Sequence, residues 1–423
     1  MEAQEILKVL KSINFWKTGP KRLGFLRNRY LEGLVKTLGN NLVKVIVGQR
    51  RSGKSYLLKQ LIGHLVTEQK VPRANILYLN FESEELQFVA DQKSLSEIIK
   101  IYFSQLRPKG KVYIFLDEIQ EVAGWEKLVS SYLAQETRSV EFLLTGSNST
   151  MLSSELATYI TGRYIEKTVF PFSFQEHLLF LKETPSKEHL IEFLKTSGIP
   201  ELYNLNSLEL RESFLNALRD SILMRDIVRR YAIKDVSLLL IIFQFLADNI
   251  ANRFSFQTMA KKLVSTGVST NVVTLSNYVH YLENAFLVHG VDRYDIKGKR
   301  ILEGEKKYYL NDLGFRNYFK SSFDPGLTKH LENYVFLWLK MTGHTVYVGT
   351  IGEIEVDFVA EKAGQRSYYQ VTYLLSDEDV VRREYGNLEK ISDAWPKYVI
   401  SLDDIAYPPR NGIQHIQAWK LAG

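Results

Sequence analysis

The chain has no cysteine. Disulfides, a cysteine nucleophile and thiolate zinc sites are thereby excluded, and a reducing compartment fits. Histidine is thin as well. The eight present show no H-E-x-x-H or similar pairing, so each reads as structural rather than as a metal ligand. Long apolar runs are missing too: the longest, residues 236–247, contains Gln244 and is too short to span a bilayer. The N-terminus, with Glu2, Glu5, Lys8 and Lys11 among apolar residues, reads as an amphipathic helix and not as a signal peptide. A soluble, cytoplasmic protein with no membrane partner is expected.

What remains is an ordinary globular composition, 45% hydrophobic and 24% charged, with a formal net charge of +6. That charge permits a polyanionic partner without demanding one. A length of 423 residues suggests about three domains at roughly 150 residues each.

Residues 42–55, LVKVIVGQRRSGKS, organise the rest. Val43 to Val47 is a short β-branched run suited to a buried parallel strand. Gly48, Gln49, Arg50, Arg51, Ser52, Gly53, Lys54 and Ser55 then spell G-x-x-x-x-G-K-S. A helical pattern follows from Tyr56, with Leu57, Leu58, Leu61 and Leu65 on one face. Strand, glycine-bounded loop and helix form the context in which this motif cradles a nucleoside triphosphate. The glycines let backbone N–H groups converge on the β-phosphate at the positive end of the helix. Lys54 would reach the β- and γ-phosphates and Ser55 would ligate Mg²⁺, with residues 48–56 forming the nucleotide contact.

Further along, residues 76–81 read as a second strand and residues 95–106 as a helix closed by Pro108 and Gly110. Residues 111–120, KVYIFLDEIQ, put Asp117 and Glu118 at the end of another apolar strand, the rim where open α/β sheets bind ligands. Asp117 would hold Mg²⁺ through its water shell and Glu118 would polarise the attacking water. A strand at 142–145 leads to Ser147 and Asn148, either of which could sense the γ-phosphate; a Ser/Asn turn capping a helix explains them equally. Arg163, before a strand at 164–169, is either an exposed charge beside a turn or an arginine finger for a neighbouring subunit.

The runs GQRRSGKS, FLDEIQEVAGWEKL, LLTGSNSTML, ATYITGRY and VFPFSFQEHL, in this order, resemble the AAA+ ATPases of a large archaeal and bacterial family. Members of that family carry a C-terminal domain like a PD-(D/E)XK nuclease. The resemblance implies Lys54 and Ser55 as the phosphate-loop pair, Asp117 and Glu118 as the metal and water pair, Ser147 or Asn148 as sensor and Arg163 as finger. It also implies that GIPELY (198–203) and LMRDIVRRY (223–231) belong to a helical lid, with Arg225 a second-sensor candidate against Arg229 and Arg230.

The expected architecture is an α/β P-loop sheet with a helical lid, then a winged helix and a small α/β domain. Its segments are 1–40 (helical), 41–172 (ATPase core), 173–234 (lid), 235–320 (winged helix) and 321–423 (nuclease-like). In the winged-helix segment, Asn271, Thr274, Asn277, Tyr278 and Tyr281 would face a DNA major groove. Lys297, Lys299, Arg300, Lys306 and Lys307 could reach phosphates. The second helix carries no arginine, so contact there would be structural rather than sequence-specific. In the last segment, Glu332 on a helix and Asp357 on a hairpin suit a nuclease core. The next strand offers Gln370 and Thr372 where an acid and a lysine are required. The expectation is an ATP- and Mg-dependent ATPase, a homo-oligomer acting on DNA, branched or junction forms among its candidate substrates. An ATP-dependent nuclease and a nucleotide-gated switch for a protein partner are the alternatives.

Overall fold

The computed structural model describes residues 2–134, 139–149, 157–160, 162–317 and 326–421. They divide into two compact units, Met1–Val169 and Phe170–Gly423.

In the first unit five parallel strands, β1 (Val43–Val47), β2 (Ile76–Asn80), β3 (Val112–Asp117), β4 (Val140–Gly146) and β5 (Tyr164–Thr168), lie in the order β2-β3-β4-β1-β5. β1 and β3 are buried along their whole length, which is why they read as unbroken apolar runs and not as alternating ones. β1 lies beside β4, so the chain leaves this pair towards opposite edges of the sheet. A crevice opens at such a reversal, beyond the carboxyl ends of the strands. The Lys54–Thr67 helix packs Leu57, Leu58, Leu61 and Leu65 into the core, the face that the spacing indicates. The N-terminal helix, Ala3–Ile13, buries Ile6 and Leu10. The segment after it is tied to β2: the Trp16 indole donates to the Ile76 carbonyl at 2.6 Å, and Asn14 Oδ1 accepts from the Tyr78 N–H at 2.7 Å.

The second unit begins with helices Phe174–Leu181, Lys187–Lys195 and Leu208–Ser221, the last running on through a π-helical stretch, Ile222–Val228. The GIPELY turn belongs here. Gly198 is required by crowding, since a Cβ there would meet the Phe172 carbonyl at 2.5 Å, and its N–H donates to Asp312 at 2.7 Å. Helix Val236–Asp248 follows, then β6 (Arg253–Phe254), helices Phe256–Ser265 and Val272–Asn284, and the hairpin of β7 (Val288–Asp295) and β8 (Arg300–Leu310). β6 and β7 each pair antiparallel with β8, which lies between them.

Helix Leu327–Met341 comes next, then β9 (Thr345–Ile351), β10 (Ile354–Lys362), β11 (Gln365–Val371), β12 (Lys397–Ser401) and β13 (Ile413–Gln417). β7 pairs in parallel with β9, so all eight strands form one sheet in the order β13-β12-β11-β10-β9-β7-β8-β6. The hairpin expected as a wing and the strands expected as a nuclease core are therefore continuous. The boundary drawn at 320/321 lies outside the described residues. Among the described residues no helix is long and apolar enough to cross a membrane.

Candidate functional site

The first unit gathers its polar groups at the carboxyl ends of β1, β3 and β4. Gly48 has φ +149°, and a Cβ on it would lie 2.1 Å from the Val169 carbonyl oxygen, so only glycine fits. Gly53, with φ +96°, turns the chain directly into the helix that starts at Lys54. The loop is fastened from behind: the buried Arg27 guanidinium donates to the Ser52 carbonyl at 2.8 Å, and the Ser52 N–H donates to the Gln49 carbonyl at 3.1 Å. Arg51 takes a left-handed φ of 66°. Arg50 forms an ion pair with Glu82, just beyond β2. Tyr56 is exposed, with the Lys59 ammonium 5.4 Å from its ring centre.

Lys54 is buried. Its Nζ donates to the carbonyls of Gly48 at 3.0 Å and Gln49 at 3.1 Å, and lies 3.3 Å from Glu118 Oε1. Ser55 Oγ donates to Asp117 Oδ1 at 3.1 Å. Asp117 is 0% exposed and accepts from two further hydroxyls, Tyr78 on β2 at 2.7 Å and Thr145 on β4. Burial raises the Asp117 carboxyl, the neighbouring Glu118 charge adds to this, and the three hydroxyls oppose it. Burial would likewise raise Glu118, but the Lys54 charge, the Gln120 amide and Arg50 outweigh it and hold that carboxyl below its ordinary value.

Glu118 has a left-handed φ of 55°, and its N–H donates to Thr145 Oγ1 at 2.8 Å. Gln120 Nε2 donates to Glu118 Oε2 at 2.5 Å and lies 3.2 Å from Ser147 Oγ. Ser147 and Asn148 are both buried.

The residues fit a triphosphate and Mg²⁺. A hydroxyl and a carboxylate oxygen on adjoining elements are the hard donors that Mg²⁺ takes through one or two protein groups plus phosphate oxygens. Two buried atoms at this rim, Ser52 Oγ and Gln120 Oε1, have no hydrogen-bond partner among the described residues. Arg163 lies apart from this rim. It is exposed and precedes Tyr164, which is level with the start of β1, whereas the loop leaves β1 at its end. Four residues of parallel strand, about 13 Å, separate those levels.

The second unit holds another cluster of acids. Glu355 and Asp357, two apart on β10, share a face, and a shift in the β9–β10 pairing falls between Val356 and Val359. Glu332 comes from helix Leu327–Met341. Lys307 stands among them, its Nζ 2.8 Å from Glu332, 2.7 Å from Glu355 and 3.7 Å from Asp357. Arg253 reaches the other Glu355 oxygen at 3.0 Å, and Tyr309 donates to Glu332 at 2.7 Å. Burial would pull the Lys307 ammonium down, but three carboxylates outweigh it and hold it above its ordinary value. Gln370 is buried, with Oε1 3.4 Å from the Asp357 N–H, and Thr372 is buried beside the Leu374 carbonyl. Among the described residues no group of three or more His, Asp and Glu is disposed to take a metal ion.

Two expectations for the DNA face change. Lys307, 3% exposed, is enclosed by carboxylates and does not reach solvent phosphates. Tyr281 stacks on Tyr231 with ring centres 3.8 Å apart, so its face is occupied. Asn271 caps its own helix, accepting from the Thr274 N–H at 2.9 Å. Tyr278 packs partly into the core. Asn277, Lys297, Lys299 and Arg300 are exposed.

Tyr78, Thr145 and Gln120 were not singled out from sequence, nor were Glu355 and the role of Lys307. Only Gln120, inside the DEIQ run, and the Glu355–Asp357 alternation left a local signal. The other partners arise from pairing between strands.

Residues 40–178 match an AAA domain family, and residues 187–325 match a domain of unknown function. An uncharacterized protein of Haemophilus influenzae is 37% identical over 382 residues, 89% of this chain and 92% of that protein. The uncharacterized protein MJ1544 of Methanocaldococcus jannaschii is 30% identical over 368 residues, 84% of this chain and 79% of that one. Among solved structures, the Walker-type ATPase PABY2304 of Pyrococcus abyssi is 17% identical with a TM-score of 0.47, over 70% of this chain and 95% of that one. The ORC1 protein of Aeropyrum pernix, solved in complex with DNA, is 16% identical with a TM-score of 0.32, over 73% of this chain and 96% of that one. Likenesses this slight carry no argument about function.

Proposed function

Since the chain belongs to the family of AAA-domain proteins that includes the Haemophilus influenzae and Methanocaldococcus jannaschii relatives, we propose that it is an Mg²⁺-dependent ATPase that assembles with copies of itself and acts on DNA. One observation carries the ATPase reading. Lys54, Ser55, Asp117 and Glu118 meet at one rim of the sheet, with Ser55 Oγ 3.1 Å from Asp117 and Lys54 Nζ 3.3 Å from Glu118.

In this reading residues 48–56 hold the triphosphate. Ser55 and Asp117 hold the Mg²⁺, which supplies charge neutralisation at the β- and γ-phosphates. Lys54 exchanges the carbonyls of Gly48 and Gln49 for phosphate oxygens, and that move loosens its contact with Glu118. Glu118 accepts the proton of the attacking water. Ser147 and Asn148, at the end of the neighbouring strand, report the γ-phosphate. Arg163 is exposed and sits at the level where β1 begins, about 13 Å from the level of the loop, so in this reading it acts on the nucleotide of a second copy, which is the reason for proposing an oligomer.

The DNA reading is supported by element order: a helix, a short strand, two helices and a hairpin paired back to that strand follow one another in the order that a winged helix has. Lys297, Lys299 and Arg300 at the hairpin turn are its exposed cations, suited to phosphates, with Asn277 on the second helix. The nuclease alternative loses support from Lys307, whose ammonium occupies the space between Glu332, Glu355 and Asp357 where a nuclease would hold its metal. The nuclease-like segment is then a docking element.

ATP turnover measured with and without duplex and junction DNA tests this, alongside the mass of Glu118→Gln in ATP. Stimulation by DNA and an ATP-dependent oligomer are expected. A monomer with slow turnover indifferent to DNA would favour the protein-partner switch instead.

A further inference from the structure

Gln120 lies two residues beyond Glu118, in the short 3-10 turn Ile119–Glu121 that follows β3. Its amide already connects two groups of the proposed site. Nε2 donates to Glu118 Oε2 at 2.5 Å and to Ser147 Oγ at 3.2 Å. The orientation of this amide is fixed by charge: with nitrogen and oxygen exchanged, an acceptor would face the carboxylate. The oxygen therefore points elsewhere, and it is buried with no partner among the described residues. A buried acceptor left unpaired costs about 1–3 kcal/mol, so a native site that keeps one has a use for it. Oε1 and Nε2 share one carbon, so a water bonded to Glu118 is within reach of Oε1.

We propose that Gln120 is a catalytic residue of the ATPase, whose carbonyl oxygen orients the attacking water while its amide nitrogen fixes Glu118 and links it to Ser147. This rests on the reading of the site given above. The water then has two acceptors, one for each proton. Its oxygen lone pair forms the new bond to the γ-phosphorus as the bond from that phosphorus to the β–γ bridging oxygen breaks. The bonding electrons leave with ADP, and the proton facing Glu118 passes to that carboxylate. Gln120 takes no proton. It restricts the water to the in-line geometry, the kind of orientation from which an enzyme gains rate without covalent chemistry. Ser147, bonded to the same amide nitrogen, makes that orientation sensitive to the γ-phosphate.

Gln120→Ala and Gln120→Glu in the full chain test this, with ATP affinity and turnover measured separately under the conditions that give wild-type turnover. The glutamate variant keeps the shape but cannot donate to Glu118. Both are expected to bind ATP within about twofold of wild type and to lose about 10²-fold in kcat, the lower end for a group handling the reacting proton. A kcat within twofold of wild type in either variant overturns the proposal. So does a parallel loss of ATP affinity and turnover, the mark of a merely structural glutamine. If wild type and Glu118→Gln are equally inert, the ATPase reading itself fails, and this proposal with it.

Discussion

The two units place a lysine among carboxylates twice, with opposite results. In the first, Lys54 touches two backbone carbonyls and lies 3.3 Å from Glu118, while Ser52 Oγ and Gln120 Oε1 nearby are buried without partners among the described residues. In the second, Lys307 makes contacts of 2.7–2.8 Å to two acids, a third acid is 3.7 Å away, Arg253 takes the other Glu355 oxygen and Tyr309 donates to the Glu332 oxygen that Lys307 also touches. The first arrangement is incomplete in the way a ligand would complete it. The second is saturated by the chain itself. The chemistry a cluster can perform thus depends less on which residues it contains than on which hydrogen bonds remain unmade.

If that contrast is right, the largest effect comes from emptying the second cluster. Lys307→Met should destabilise the protein by about 3–5 kcal/mol, because the buried carboxylates of Glu332 and Asp357 lose their cation, while the half-buried Glu355 keeps Arg253. Added Mn²⁺ should restore part of the melting temperature of the variant and leave nucleotide-free wild type unchanged. A variant as stable as wild type and indifferent to Mn²⁺ would break the comparison.

A smaller effect comes from the buried His177, paired with the Tyr203 hydroxyl at 2.8 Å and pushed down to about 4 chiefly by burial. The unfolded imidazole takes up a proton below about 6.5, the folded one only below about 4, so acid favours unfolding within that window. Between pH 6.5 and 4 this group should remove about 3 kcal/mol from the second unit. Hydrogen exchange at residues 174–181 in the full chain should quicken accordingly, and His177→Gln should flatten the dependence. An unchanged pH profile in that variant would exclude His177 as the cause.

The smallest effect sharpens the first cluster. Tyr78→Phe removes one of three hydroxyls on Asp117 and should weaken Mg²⁺ in the ATP complex by about 10-fold, the lower end for a group that supports a metal ligand. The Mg²⁺ dependence of turnover measures this directly. An unchanged midpoint would show that Thr145 and Ser55 suffice.

The legibility of the sequence followed the range of the interactions. The phosphate loop and the acids ending β3 are contiguous, with burial and turn chemistry that local pattern captures. The face of the Lys54–Thr67 helix was readable for the same reason. Tyr78 and Thr145 reach Asp117 from β2 and β4, a relation that depends on strand order. Lys307 read as one of several wing cations because its neighbours Lys297, Lys299 and Arg300 are exposed; only the pairing of β8 within the larger sheet turns it inward. Tyr281 falls on the expected polar face by spacing, but Tyr231, fifty residues earlier in the chain, covers it.

The most direct measurement is ATP binding by calorimetry with Mg²⁺, on wild type and Lys54→Ala, followed by turnover of both. Saturable binding and hydrolysis by wild type, with both lost in the variant, are predicted. Equal binding by the two proteins, or none by wild type, would contradict the account.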